Sequence, residues 1–301
     1  MNMQDKNEPI MSAVKIAGVM RACAFSPNSI GKDIAIFNAV AEGLRGSGAE
    51  VNVYSEEEFR CSEITEEVVL NMCREQESIS KLRRLEQEGR LVINSGCGIA
   101  NCTREQMTHL LMRHGIAHPE SIVVNTDEDA IPAIEAAAFD RCWIKRGDSH
   151  ATHKEDVCYC KALEDMGRVM KEFSRRGIKR AVINRHLEGD LVKFYGVSGE
   201  PFFHWFYPLD RGHSKYGHEA VNGKPRRLEF DTEALKKLCC EAADVLDVKI
   251  YGGDCIVGAD GTVRIIDFND WPSFSPCRGE GAEAITECVR KLVNRRFHKN
   301  L

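Results

Sequence analysis

The first part of the chain alternates between short apolar runs and a helical pattern. Residues 14–20 form an apolar run that predicts a buried strand, and residues 51–54 predict a second one. Between them, residues 33–44 carry apolar side chains at helical spacing and end at a Gly-Ser-Gly turn. A strand, a helix and a strand in this order form the unit of a parallel sheet, so we expect a doubly wound α/β lobe at the start of the chain.

The next stretch continues this lobe. Residues 66–87 are rich in charged residues, and we interpret their apolar positions as one face of a single helix. Residues 91–94 predict a further strand, and residues 95–99, which include two glycines, predict a loop. Residues 103–114 predict a helix that ends at Gly115.

After Pro119 the pattern changes to shorter strands separated by amphipathic helices. The predicted strands cover residues 121–124, 142–145, 157–160, 191–197 and 202–207, and one more begins at residue 180. The predicted helices cover residues 131–139, 163–176, 231–246 and 283–296, with Asp231 or Thr232 as the N-cap of the third.

The most informative stretch is a hairpin near the end of the chain, in which two β-prone runs flank a Gly/Asp turn. Asp254 lies in the first run, and Asp267 and Asn269 lie two apart in the second, so their side chains share a face. Three hard oxygen ligands on one face suit Mg²⁺. The alternative is a polar strand pair at a domain edge, which the low β-propensity of Asp disfavours.

Two other places carry candidate binding groups. Lys145 ends a predicted strand before a small polar loop, an arrangement that could hold phosphates or could be a surface lysine before a mobile loop. The loop of residues 211–223 could bind metal, could be a mobile substrate loop or could be plain surface. The loop contains His213, Lys215 and His218, and its two histidines, five apart, are the candidate metal ligands.

The edge of the first lobe offers candidates for binding an anion, which could equally be ordinary turn and cap residues. These are Arg21, Ser26, Asn28 and Ser29.

Composition excludes several classes of protein. The 301 residues are 43% hydrophobic and 29% charged, as in water-soluble globular proteins, and no apolar run is long enough to span a membrane. A net charge of −5 predicts no general attraction to nucleic acid or to an anionic membrane. The polar residues 1–13 predict a disordered tail, not a signal peptide. Thirteen scattered cysteines predict reduced thiols and a cytoplasmic protein.

The order of these motifs resembles the ATP-grasp superfamily over roughly residues 90 to 290. The resemblance implies that Arg104 and Lys145 bind phosphates of ATP, and that the stretch from Asn184 to Glu188 binds its nucleoside. In that stretch Arg185 and Leu187 would offer backbone groups to adenine and Glu188 would bind the ribose. It also implies that Asp254, Asp267 and Asn269 hold one or two Mg²⁺ ions, with Mn²⁺ as a substitute.

The same resemblance implies a fold and its division. We expect a parallel-sheet lobe followed by two α+β subdomains that hold ATP between them. The predicted boundaries are a tail at 1–13, an N-terminal domain at 14–117, a small lid subdomain at 118–190 and a catalytic subdomain at 191–301.

The likeness is divided between two branches of the superfamily. The chain resembles RimK-type and glutathione-synthetase-like ligases, but the stretch at residues 253–256 resembles both the RimK-type ligases and the inositol-phosphate kinase branch. Many ligases carry an Arg where Gly252 stands, a Glu where Asp267 stands and a Gly where Ser273 stands. Asp267 and the strand at residues 191–195 look more like the inositol-phosphate kinase branch.

The implied function is a Mg-ATP-dependent ligase that joins a carboxylate to an amine or thiol through an acyl phosphate. Its predicted catalytic residues are Lys145, Lys193 and Arg211, and its expected substrate is a small molecule or a short peptide. A small-molecule kinase and a non-catalytic ATP-binding module are the alternatives. No nucleic-acid or membrane partner is expected, and a homodimer is compatible with the sequence.

Overall fold

Three four-stranded sheets form the framework of the part of the protein that the computed structural model describes, namely residues 10–26, 29–149, 153–211 and 221–298. The first sheet is parallel and the other two are antiparallel. This mixture confirms the predicted α/β fold with a parallel-sheet lobe at the N-terminus.

The N-terminal sheet has the strand order β2-β1-β3-β4, and helices connect its strands. Its strands are β1 (Lys15–Val19), β2 (Glu50–Tyr54), β3 (Val68–Asn71) and β4 (Leu91–Ile93), and its helices are α1 (Ile30–Gly46), α2 (Glu56–Cys61), α3 (Gln76–Gln87), α4 (Gly96–Asn101) and α5 (Arg104–Arg113).

Two sequence-based expectations for this lobe were wrong. Residues 66–87 are not one helix, because Val68–Asn71 forms strand β3 and only Gln76–Gln87 is helical. Strand β3 is buried between its parallel neighbours, and its first three residues, Val68, Val69 and Leu70, are continuously apolar, so it shows no alternation. The predicted loop at 95–99 is the start of helix α4, where the Ser95 hydroxyl accepts a hydrogen bond from Gly98 N.

The middle sheet has the order β5-β8-β6-β7 and is covered by an amphipathic helix. Helix α7 turns Met166, Met170 and Phe173 towards it, and all three are buried. The elements of this part are β5 (Ser121–Asn125), α6 (Ile131–Ala136), β6 (Cys142–Arg146), β7 (Val157–Cys160), α7 (Leu163–Arg175) and β8 (Arg180–Arg185).

The third sheet has the order β10-β9-β11-β12, and β11 and β12 are the two arms of the predicted hairpin. The elements are β9 (Asp190–Val197), β10 (Phe203–Phe206), α8 (Thr232–Leu246), β11 (Ile250–Val257), β12 (Val263–Asp270) and α9 (Arg278–His298). Asp231 caps α8, as predicted, by accepting hydrogen bonds from the backbone of the first turn.

The last helix connects the two ends of the chain. Ile285 and Val289 of α9 share one buried cluster with Ile36 and Val40 of α1. The first and third sheets are therefore joined by a common apolar core, whereas the middle sheet has a core of its own. The predicted limits at residues 117 and 190 stay a prediction.

None of the described helices is long and apolar enough to cross a membrane. The cysteines, at positions 23 to 288, are all free thiols.

Candidate active site

A cleft with a cavity volume of about 310 Å³ opens between the middle and third sheets, and the N-terminal lobe closes one end. Most of the site residues that the sequence predicts line it. They are Arg104, Lys145, Asn184, Arg185, Leu187, Lys193, Asp254, Asp267 and Asn269.

The acidic hairpin brings its oxygen atoms together as the strand pattern predicts. Asp254 of β11 lies directly opposite Asp267 of β12, and Gly252 lies opposite Asn269. Asn269 Nδ2 donates a hydrogen bond to Asp267 Oδ2 at 3.4 Å. The three side chains therefore share the face of the hairpin that borders the cleft.

A bulge next to this set creates a further acceptor. The register shifts after Asp254, so that Cys255 lies opposite Ile265 and Ile266 is the extra residue. The carbonyl oxygen of Ile266 accepts a hydrogen bond from Lys145 Nζ at 2.8 Å. Lys145 thus reaches across the cleft from the middle sheet to the third.

Lys145 is unusually buried for a lysine, with 7% of the residue exposed. Its pKa is lowered to about 8, mainly by burial and also by the nearby Arg104 charge, although the Asp267 and Asp254 charges offset part of the effect. A cation held in this way at a cost in solvation gains strongly from an anionic ligand.

Arg104 begins helix α5 and turns into the same cleft. Its Nη2 lies 3.5 Å from Asp267 Oδ2, while its buried Nε and Nη1 have no hydrogen-bond partner. Buried donors without partners are rare, and they fit an anionic ligand in the cleft.

The charge of Asp267 is set by its neighbours. Burial on its own raises the pKa of the Asp267 carboxyl, but the charges of Arg104 and Lys145, the Asn269 hydrogen bond and the Lys193 charge together hold that pKa below its usual value. Asp267 is therefore ionised at neutral pH, as a metal ligand must be.

The donor set fits a hard divalent cation. Two carboxylates and one amide oxygen leave room for phosphate oxygens and water in an octahedral Mg²⁺ shell. Within the described ranges no group of three or more His, Cys, Asp and Glu side chains gathers as a metal site. The side-chain oxygens of Asp254, Asp267 and Asn269 suit an ion that a nucleotide also helps to bind. Their role as metal ligands stays a prediction.

The stretch expected to bind the nucleoside follows strand β8 to the rim of the cleft. Asn184 Nδ2 donates to Ser121 Oγ at 2.7 Å, and the backbone N–H of Arg185 donates to the Glu120 carbonyl. The carbonyl oxygen of Leu187 accepts a hydrogen bond from Asn222. The backbone groups of Arg185 and Leu187, which were expected to bind adenine, therefore form hydrogen bonds to other residues of the protein.

Glu188 lies apart from the other predicted site residues. It does not line the cleft, and its side chain is 72% exposed and forms an ion pair at 2.8 Å with Arg141. Its predicted contact with a ribose would require the exposed carboxylate to exchange this partner.

Several predicted residues cannot be compared with the structure. Arg211 ends a short 3₁₀ turn, but its side chain lies outside the described part of the molecule. Asn28, His213, Lys215 and His218 lie outside the described residues, as do residues 150–152 of the loop after Lys145.

Arg21, a candidate for binding an anion, is already paired. Its Nη1 lies 2.9 Å from Asp33 Oδ2, and its Nη2 donates to the Trp271 carbonyl at 2.8 Å. Ser29 is the N-cap residue of α1, although its side chain forms no capping hydrogen bond. Of the two interpretations of this group, the structural one therefore fits Arg21.

Sequence reasoning did not assign a role to three other residues at the cleft. Trp143 lines it beside Lys145, and its Nε1 donates to His186 Nδ1 at 3.2 Å. The position of Trp143, two before Lys145 on one strand, was a signal for this shared face. Arg74 and Asp270 also line the cleft, as an ion pair between lobes that lie far apart in sequence.

No protein-family model matches the sequence, and no curated protein matches it. Solved structures of ligases do match the fold. The D-alanine–D-alanine ligase from Coxiella burnetii superposes with a TM-score of 0.68 at 9% identity, covering 95% of this chain and 97% of that one. The D-alanine–D-alanine ligase from Bacillus anthracis complexed with ATP gives 0.65 at 12% identity, covering 94% and 99%.

A third similar structure is the ATP-grasp ligase PsnB complexed with the precursor peptide PsnA2 and AMPPNP. Its TM-score is 0.59 at 18% identity, with coverage of 94% of this chain and 100% of that one. The chain therefore has the ATP-grasp fold, and the fold that the resemblance implied is confirmed.

Proposed function

We propose that this protein is a Mg-ATP-dependent ligase that joins a carboxylate to an amine or a thiol through an acyl phosphate. The observation that supports it is that positively charged side chains from the three parts of the fold converge on the acidic hairpin. These are Arg104, Lys145 and Lys193. Similar structures named as ligases favour a ligase over other chemistries of the fold.

Asp254, Asp267 and Asn269 would hold Mg²⁺, and Mn²⁺ has the same preference for oxygen ligands. The ion, when bound, supplies positive charge that offsets the charge of the β- and γ-phosphates. Asp267 is the central member, since it already lies between Asn269 and Arg104.

Arg104 and Lys145 would bind the α- and β-phosphates. The unpartnered Nε and Nη1 of Arg104 offer two donors, and Lys145 Nζ would exchange the Ile266 carbonyl for a phosphate oxygen. Leu187 and Arg185 would border the adenine at the rim of the cleft, with Glu188 at the ribose.

The reaction has two steps. An oxygen of the substrate carboxylate attacks the γ-phosphorus, the bond to the β-phosphate oxygen breaks, and ADP leaves. The amine or thiol then attacks the acyl carbon, phosphate departs with the electron pair of the carbon–oxygen bond, and the nucleophile loses a proton to solvent. Lys193, which pairs with Asp254, would stabilise the transferred phosphoryl group.

The proposed substrates are a small acid or a short peptide. Peptides are included because a similar structure, PsnB, was solved with a precursor peptide.

Trapping the acyl phosphate tests this function. The protein is incubated with Mg-ATP, pools of carboxylates and hydroxylamine in place of the amine, and hydroxamate and ADP are measured. The proposal predicts hydroxamate in a fixed ratio to ADP with at least one pool, and none without ATP. Hydroxamate formation that does not depend on ATP would contradict it.

The same assay separates the alternatives. Transfer of labelled phosphate to a polyol without hydroxamate would support a kinase of the inositol-phosphate type. An increase in thermal stability with ATP but no turnover with any pool would support a binding module.

A further inference from the structure

An ion pair between lobes holds the end of the strand that carries Asp267 and Asn269. Arg74, which follows strand β3 of the N-terminal lobe, contacts both carboxylate oxygens of Asp270 through Nη1. Its Nη2 also donates to the Asp270 carbonyl oxygen at 3.0 Å. The two side chains are 6% and 1% exposed, so water does not compete strongly for the pair.

Arg74 is itself held rigidly. Its backbone N–H and that of Glu75 each donate at 2.7 Å to one carboxylate oxygen of Glu56, and Ala22 N donates to the other. Glu56 is 2% exposed. A buried carboxylate thus fixes the turn from which the Arg74 side chain extends.

Two other side chains of the same lobe hold the backbone around Asp270. Arg21 Nη2 donates to the Trp271 carbonyl, and Asn94 Nδ2 donates to the Ile250 carbonyl at 2.8 Å. Ile250 in turn accepts the backbone N–H of Trp271, where the chain leaves the strand with φ of +33°. Hydrogen bonds from the N-terminal lobe therefore hold both the turn after β12 and the facing end of β11.

Asp270 does not belong to the oxygen set. Side chains alternate along a strand, so Asp270 does not share the face of Asp267 and Asn269, and at the end of the strand, where it borders the cleft, its carboxylate contacts Arg74. Its carboxylate is used by Arg74, while its backbone directly follows Asn269. A displacement of Asp270 would therefore move Asn269 without removing a ligand.

We propose that Arg74 is a positioning residue that, through Asp270, sets the location of Asn269 in the metal-binding face of the hairpin. This inference rests on the proposed function, because it assigns to Asn269 a role as ligand. Its consequence is that the N-terminal lobe determines how well the third sheet binds a divalent cation.

The experiment measures Mn²⁺ binding by electron paramagnetic resonance in the presence of AMPPNP, so that no turnover is needed. Arg74→Met is expected to weaken Mn²⁺ binding at least tenfold, and Arg74→Lys, which keeps one contact, is expected to weaken it less. Two further variants can be used if Arg74→Met does not fold. Asp270→Asn keeps the volume, and Arg74→Met with Asp270→Leu removes both buried charges together.

The matched control is Arg176→Met, which breaks a similar pair of an arginine with the fully buried Asp156 in the middle sheet's lobe. It is expected to lower the melting temperature and leave Mn²⁺ binding unchanged. Folded Arg74 variants that bind Mn²⁺ as the wild type does would overturn the role of Arg74 alone. A wild type that binds no Mn²⁺ with AMPPNP would overturn the proposed function and, with it, this role.

Discussion

Lys193 Nζ lies 2.8 Å and 3.0 Å from the two carboxylate oxygens of Asp254, directly across neighbouring strands of the third sheet. Each charge therefore compensates the other before any ligand is present. In the proposed function a cation bound at Asp254 would release Lys193 towards the phosphoryl group. The pair would thus link the proposed metal-binding face of the hairpin to the transferred group.

Replacing Lys193 by Met is expected to lower kcat by about two orders of magnitude, since removing one donor to a charged transition state typically costs that much. Affinity for ATP should change only a few-fold, because in the proposed function Arg104 and Lys145 would bind the other phosphates. The measurement is steady-state ADP release and, separately, nucleotide titration. A variant with unchanged kcat would show that Lys193 serves only to neutralise Asp254.

Asp267→Asn is expected to abolish Mg²⁺-dependent ATP consumption while the chain remains folded, because the amide keeps the shape and loses the charge. The matched control is Asp260→Asn in the turn of the same hairpin, where the Asp260 side chain accepts hydrogen bonds from Thr262. That control should retain activity. Activity that survives in Asp267→Asn would remove this residue from the metal-binding set.

Lys145→Met should lose ATP affinity and yet be more stable than the wild type at pH 7. The pKa of Lys145 is about 8 in the folded state against 10.5 for an ordinary lysine, so burying its charged form opposes folding. The gain has an upper limit of roughly 3 kcal/mol from 1.36 kcal/mol per pKa unit. Chemical denaturation monitored by circular dichroism gives the free energy of unfolding.

The pH dependence checks this reasoning. Between pH 8 and 10.5 the unfolded state binds more protons at Lys145 than the folded state, so wild-type stability should rise with pH relative to the variant. The advantage of Lys145→Met should therefore shrink across this window. A constant difference from pH 7 to 10 would mean that the lysine is not desolvated.

The hairpin and the strand lysines could be predicted from sequence because they lie in local patterns. Asp254, Asp267 and Asn269 follow from alternation across a single turn. The pair of Arg74 and Asp270 could not, because its members are 196 residues apart and each resembles an ordinary surface charge. Such a contact depends on how separate lobes pack, which local spacing does not encode.

The error at strand β3 has a related cause. Val69 fits a helical face together with Met72 and Cys73, but Val68 and Leu70 are buried as well, as in a strand with parallel neighbours on both sides and not as in a helix with one buried face. The glycines of α4 led to the wrong prediction of a loop for another reason. A Cβ at Gly98 would lie 2.1 Å from the Asp247 carbonyl oxygen, so glycine there serves close packing of the helix.

Gly252 stands where many ligases of this fold carry an arginine, and its surroundings leave no room for a side chain. A Cβ there would lie 2.5 Å from Tyr195 Cδ1, 2.7 Å from Pro272 Cγ and 2.8 Å from the Phe194 carbonyl oxygen. Gly252→Ala is expected to cost about 1–3 kcal/mol in urea unfolding, as overpacking does. The control Gly279→Ala in helix α9, with nothing within 4 Å, should be neutral or slightly stabilising. If the two variants had the same free energy of unfolding, the side chains of Tyr195 and Pro272 would have to move aside at little cost.

Oxygen transfer from the substrate tests the central claim most directly. The protein is supplied with Mg-ATP, an amine pool and carboxylic acids labelled with ¹⁸O in both carboxylate oxygens, and the released phosphate is examined by ³¹P NMR or mass spectrometry. A ligase that passes through an acyl phosphate must leave one labelled oxygen in each phosphate formed with its own substrate. ATP consumption accompanied by unlabelled phosphate, or by no free phosphate at all, would contradict the account.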